Sequence, residues 1–393
     1  MTLRFIHRIG VFRPRLSLPR KHPPEGDVIP WTASQWVKVK ASFGGRLQFS
    51  ILLFLLFCFA AQTSAPKGTE HPVHPPTKST FRRAQSGSPK DEFALAEAYS
   101  KGVGIVQSDS EALLWYRRSA EHGNVVAMCR LGYMYALGIG TERDDHQAFL
   151  WFLRAATEGD LTAQGNLAIM YFRGLGVGVD IESAVHWWQQ AAAKGETNAE
   201  TNLGTAYLKG IGVTKDPKRA MQLFRTAAKA GLPSAQFAVG LCYDKGEGVP
   251  QSFAQAIYWY QKAADQGSAS ALTNLGVLYA TGLGAAKDPS RAFQLFSAAA
   301  ESGSLRALTN LAYLYYEGEG VARDRVTAYS WIEISATYGE PVGQTRVNFA
   351  SKLTSAEIEQ AQQRARQWIS QHGAAFRDLP FRSPILARTD NQR

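Results

Sequence analysis

Residues 127–159, AMCRLGYMYALGIGTERDDHQAFLWFLRAATEG, set Leu131, Gly132 and Tyr135 ahead of a Gly138-x-Gly140 pair. Asp144, Ala148, Trp151, Ala156 and Gly159 follow in that order, and the whole series returns every 36 residues. Tyr99, Tyr135, Tyr171, Tyr207, Tyr243, Tyr279 and Tyr315 each stand three positions before such a pair, from Gly102/Gly104 to Gly318/Gly320. A second glycine column runs from Gly123 to Gly339. Seven copies without an insertion or deletion make a repeat array, in which stacked units bury what one unit cannot.

Each copy reads as two helices. Helix A sets small and apolar residues at helical spacing, as in Ala199, Leu203, Gly204 and Tyr207. The first glycine of each pair ends it in a left-handed conformation. Helix B starts behind Ser108, Asp144, Asp180, Asp216, Ser252, Asp288 or Asp324, all able to accept from first-turn amides. Glu111, Gln147 and Gln255 stand where a capping box would be completed. An alanine column from Ala112 to Ala328 marks close helix approach. Three residues beyond it come Trp115, Trp151, Trp187, Leu223, Trp259, Leu295 and Trp331, expected to form core. In the Trp187–Trp188 doublet the second ring is expected to stay partly exposed.

The chain of 393 residues carries 43 Lys+Arg and 33 Asp+Glu, and 45% of it is hydrophobic, enough for a sizeable core. Residues 1–90 hold 14 basic and 3 acidic side chains, so nearly all of the formal +10 sits there. That placement argues against a nucleic-acid-binding domain. A basic segment, 1–46, leads into the only long apolar run, 47–61 (LQFSILLFLLFCFAA). At about 1.5 Å per residue the run is shorter than the ~30 Å hydrocarbon core. It is either a signal peptide cleaved near Ala61–Ala65 or an uncleaved anchor with its basic flank inside. Both place the remainder outside the cytoplasm, as a periplasmic, secreted or membrane-anchored protein. Residues 62–88, with Pro66, Pro72, Pro75 and Pro76, read as a disordered linker. The repeats occupy 89–340. A C-terminal cap helix falls within 341–372, opening on Thr354 and Glu357 in capping-box spacing, and 373–393 reads as a flexible tail. Cys58, Cys129 and Cys242 cannot form a disulfide framework, and Cys129 and Cys242 read as buried small apolar side chains.

The pattern A-x-x-x-L-G-x-x-Y-x-x-G-x-G, then D-x-x-x-A-x-x-W and A-A-x-x-G, resembles the Sel-one-like repeat family, relatives of tetratricopeptide repeats. The resemblance covers residues 89–340. It implies an all-α fold, a right-handed α-solenoid of seven 36-residue helix-turn-helix repeats with a C-terminal capping helix. It also implies a non-catalytic protein–protein interaction scaffold. The paired cysteines of some secreted members linked to penicillin binding are missing here. By analogy with tetratricopeptide arrays, helix A would line a concave groove that holds an extended polypeptide.

Two helix-A columns are the candidate binding positions. Directly before the leucine column stand Ala94, Arg130, Asn166, Asn202, Ala238, Asn274 and Asn310; directly before the first turn glycine stand Lys101, Leu137, Arg173, Lys209, Lys245, Thr281 and Glu317. The binding assignment falls on Asn166, Asn202, Asn274, Asn310, Arg173, Lys209 and Lys245. Amides of asparagine complement a peptide backbone, and the cations favour an acidic stretch or free carboxylate over repeats 3–5. Against this stand an inter-repeat hydrogen bond for the asparagines and simple compensation of the helix dipole for the cations.

Chemistry is otherwise sparse. The Gly-x-Gly pairs follow helices, not strands, and so are turns rather than phosphate cradles. Ser64 and Lys67 have Ser-x-x-Lys spacing without a Lys-Thr-Gly partner. His71 and His74 lack a third ligand nearby. No catalytic residue, metal ligand or cofactor is assigned, and the oligomeric state stays open. An envelope enzyme acting on cell-wall material and a structural spacer are the alternatives to a scaffold.

Overall fold

The computed structural model describes residues 75–373, and helices are the only regular structure among the described residues. A short α1 (Lys78–Gln85) precedes seven A–B pairs: α2 (Pro89–Lys101) and α3 (Asp109–Glu121), α4 (Val125–Leu137) and α5 (Asp145–Thr157), α6 (Leu161–Arg173) and α7 (Ile181–Ala193), α8 (Thr197–Lys209) and α9 (Pro217–Lys229), α10 (Pro233–Lys245) and α11 (Phe253–Ala264), α12 (Ala269–Thr281) and α13 (Pro289–Glu301), α14 (Leu305–Glu317) and α15 (Arg325–Thr337). Two terminal helices follow, α16 (Gly343–Ala350) and α17 (Ser355–His372). The described residues fall into two compact units. The first is 75–235 with Glu247–Val249; the second is Gln236–Gly246 with 250–373.

Local chemistry sets the hairpins. All seven expected capping residues lie at the N-terminus of helix B and accept from the backbone amide three positions on. The capping boxes expected at Glu111, Gln147 and Gln255 do not form. The amide each would have taken already donates to a carbonyl of the preceding helix A: Ser108 to Tyr99, Asp144 to Tyr135 and Ser252 to Tyr243, at 2.9–3.0 Å. The four remaining caps make the same bond to Tyr171, Tyr207, Tyr279 and Tyr315. The box at Thr354 and Glu357 does form, at the start of α17.

Within each glycine pair the two members do different work. Gly174 caps α6 in the left-handed region (φ 71°), with its amide on the Met170 carbonyl. Gly176 rests on the first turn of α5 in the preceding repeat, where a Cβ would stand 2.1 Å from the Asp145 carbonyl oxygen. Only glycine lets two backbones approach this closely.

The most deeply buried positions lie one beyond the bulky column that the sequence marks; of that column Trp151 is buried and the other six members are partly buried. Tyr116, Phe152, Trp188, Phe224, Tyr260, Phe296 and Ile332 are all at most 3% exposed. Trp188 is therefore fully buried and Trp187 is the half-exposed member of the doublet, the reverse of expectation. The reason is angular. Position i+4 from the alanine column continues its stripe toward helix A, whereas i+3 sits at the edge of that stripe. Glycines in the middle of helix A make room for these rings: a Cβ on Gly276 would lie 2.6 Å from the Phe296 ring, and Gly132, Gly204 and Gly240 meet Phe152, Phe224 and Tyr260 likewise. Cys129 and Cys242 are buried, as expected.

The disordered linker expected over 62–88 is corrected in its described part. Thr77 caps α1, whose Ala84 is fully buried, and Arg83 pairs with Asp91 at 2.8 Å. At the other terminus α17 packs on α15, with Trp368 edge-on to Trp331. The basic segment 1–46, the apolar run 47–61, the linker up to residue 74 and the tail beyond Gly373 lie outside the described residues. Among the described residues no helix is long and apolar enough to cross a membrane.

Candidate functional site

Helix-A positions spaced i, i+4, i+7 and i+11 share one face. Both candidate columns fall on it. In the first unit Asn166 and Arg173 lie on α6, and Asn202 and Lys209 on α8. In the second unit Lys245 ends α10, and Asn274 and Asn310 lie on α12 and α14.

The asparagines are largely turned into the protein. Asn166 is 7% exposed, and its Nδ2 donates to the Tyr133 hydroxyl of the preceding repeat at 2.7 Å. Asn202 is 8% exposed. Asn274 Nδ2 donates to the Tyr260 hydroxyl at 3.2 Å, and that hydroxyl donates to Asp244 Oδ2 at 3.1 Å. Burial pushes the Asp244 carboxyl above the ordinary range, a rise that the Tyr260 hydrogen bond and Lys245 oppose. Asn310 is half-buried. For Asn166 and Asn274, bracing between helices is thus the observed role of the amide.

The two lysines stay exposed. Lys209 and Lys245 are exposed and Arg173 is half-buried, each at the last position of its helix, where a positive charge suits the carbonyl end. Lys101 takes the same place on α2 and pairs with Glu97 at 2.9 Å, while Arg130 on α4 approaches Glu97 at 3.6 Å. Burial opposes ionisation of Glu97, yet the Tyr116 hydroxyl, Lys101 and Arg130 together hold its carboxyl below the usual range. One acidic group on this face is therefore compensated twice over.

Reading each column singly does not reveal Lys90, Val126, Thr162 and Asn198, the first positions of the same face. The 3.6-residue period, followed from Arg130 back to Val126 and on to Leu137, contains that signal. Among the described residues no group of three or more His, Cys, Asp or Glu could hold a metal ion.

The Sel1 repeat model matches residues 89–124, 125–160, 161–196, 197–232, 233–268, 269–304 and 305–337. Among solved structures, the chain is similar to c5321, a protective antigen present in uropathogenic Escherichia coli strains and displaying an SLR fold. The two are 29% identical with a TM-score of 0.51, over 80% of this chain and 74% of that one. A Sel1 repeat protein from Oxalobacter formigenes is 31% identical with a TM-score of 0.57, over 64% of this chain and 99% of its own. No curated protein matches. With seven matched repeats and the helical pairs that realise them, the chain belongs to the Sel1 repeat family.

Proposed function

We propose that this protein is a non-catalytic scaffold, presented outside the cytoplasm, that binds an extended polypeptide with an acidic stretch along the helix-A face of its first unit. The fold is a repeat scaffold suited to protein–protein interaction. The observation that carries the acidic preference is the charge of that face: Lys90, Lys101, Arg130, Arg173 and Lys209 stand against Glu97 alone. Arg173 and Lys209, in repeats 3 and 4, are the centre of the surface, as the last positions of α6 and α8. Asn166 braces it through the Tyr133 hydroxyl. The exported location rests on the run 47–61 and its basic flank.

Two measurements test this. Residues 62–393 carrying Lys209→Glu or Arg173→Glu are used to capture partners beside the unaltered chain. Acidic partners retained by the unaltered chain and lost from both variants support the surface; equal capture sinks it. Amino-terminal sequencing of protein from the envelope fraction tests location, and intact protein recovered only from cytosol overturns export.

A further inference from the structure

One helix-A position is polar and buried in four repeats: Glu92 in repeat 1, Gln164 in repeat 3, Glu200 in repeat 4 and Gln236 in repeat 5, all at most 6% exposed. A buried acceptor needs a donor, and a buried carboxylate needs a cation. In repeat 1 the end of helix B supplies both. Arg118 Nε lies 3.2 Å from Glu92 Oε1, and His122 Nδ1 lies 2.7 Å from Oε2. In repeat 5 the residue equivalent to His122 does the same, as Gln266 Nε2 donates to Gln236 Oε1 at 2.8 Å.

Repeat 4 breaks this rule. The places of Arg118 and His122 are taken by Thr226 and Ala230, both exposed. The Thr226 hydroxyl donates to the Gln222 carbonyl at 3.2 Å, and an alanine side chain has no donor. Glu200 Oε2 is left shielded from solvent without a hydrogen-bond partner. Burial first, and the Glu196 carboxylate second, raise the Glu200 pKa, the opposite of what a facing cation would do. Glu196 itself caps α8 through the amides of Asn198 and Ala199. With two short side chains at the end of α9, the space that Arg118 and His122 fill in repeat 1 is open in repeat 4.

We infer that this opening, between the first turn of α8 and the last turn of α9, receives the guanidinium of an arginine presented by a partner polypeptide. Its N–H groups reach the Glu200 carboxylate as Arg118 and His122 reach Glu92. A planar fork of donors matches two carboxylate oxygens, which an ammonium does not. Glu200 stands two residues from both Asn198 and Asn202, so it points away from the face that they share. The contact is therefore additional to the acidic one proposed above, and its test is independent of that surface.

The test titrates the full chain with the peptide acetyl-Gly-Arg-Gly-amide and with its citrulline counterpart, which keeps the shape and loses the charge. The arginine peptide is expected to bind about tenfold tighter and to raise the melting temperature more. Glu200→Gln should erase the preference, since a neutral amide does not attract the cation. Thr226→Arg/Ala230→His, at exposed positions, should also erase it by filling the opening from within, and should melt higher than the unaltered chain. Equal binding of the two peptides by the unaltered chain overturns the site. So does a preference that survives in either variant, because the arginine would then be held elsewhere.

Discussion

The backbone amide of Asp216 donates to the carbonyl of Tyr207 at 2.8 Å, tying the N-terminus of α9 to the last turn of α8. The Asp216 carboxylate accepts from the Arg219 amide at 3.0 Å, and the Arg219 guanidinium lies over the Tyr207 ring, 4.6 Å from its centroid. One residue thus caps helix B and pins it to helix A. Its equivalents do the same for the other repeats, which makes the turn a rigid corner and not a loose connection.

Asp216→Ala removes the cap but leaves the backbone bond, so it should cost about 1 kcal/mol, and Asp216→Asn much less. Urea unfolding of the three proteins side by side checks this. Equal midpoints would mean that the corner stands without its side chain.

Gly176→Ala should be far worse than Gly159→Ala. Both residues have positive φ, 67° and 93°, so both substitutions strain the backbone by about 1–3 kcal/mol. At Gly159 a Cβ would meet nothing within 4 Å, whereas at Gly176 it would run into the Asp145 carbonyl. Thermal melts that place the two variants together would contradict the close approach of adjacent repeats.

Trp188→Ala should cost about 3–5 kcal/mol, as for other fully buried aromatics. Trp187→Ala should cost distinctly less, since Trp187 keeps part of its surface in water. The reverse order would restore the packing that the sequence alone suggests.

Glu200→Gln should stabilise the protein, and more so at neutral than at acid pH. Glu200 is 6% exposed, and its Oε2 has no hydrogen-bond partner. Burial first, and the Glu196 carboxylate second, raise its pKa. A raised folded-state pKa favours the protonated carboxyl, so this residue's contribution to stability is complete below its unfolded value and is lost as pH rises through the folded one. Glutamine removes that loss. Melting temperatures at pH 7 and near pH 4 check the sign, and a variant that gains nothing at pH 7 would refute the burial argument.

Much of the fold is legible in local chemistry. Capping residues, turn glycines and the alanine column are one-dimensional signals, because each acts within a single turn of chain. That is why Ser108 through Asp324 fall at helix starts and Gly102 through Gly318 at helix ends. The candidate site was less legible. Lys209 is exposed at the last position of α8, whereas Arg173, at the same position of α6, is half-buried. Asn166 faces inward because a hydroxyl from the preceding repeat, Tyr133, lies within reach. No pattern inside one repeat announces a partner from another.

Sequence by itself determined that this chain is a seven-fold array of helical pairs, because a fixed period with helix-start and helix-stop residues admits little else. It also determined where its positive charge lies. Only the tertiary structure decided which of two adjacent aromatic positions is core, why Gly176 and its equivalents must be glycine, and that the Tyr-column carbonyl displaces the capping box. Each of these depends on the distance between segments about 30 residues apart or across a corner. Those distances are set by packing, which the order of residues along one helix does not contain.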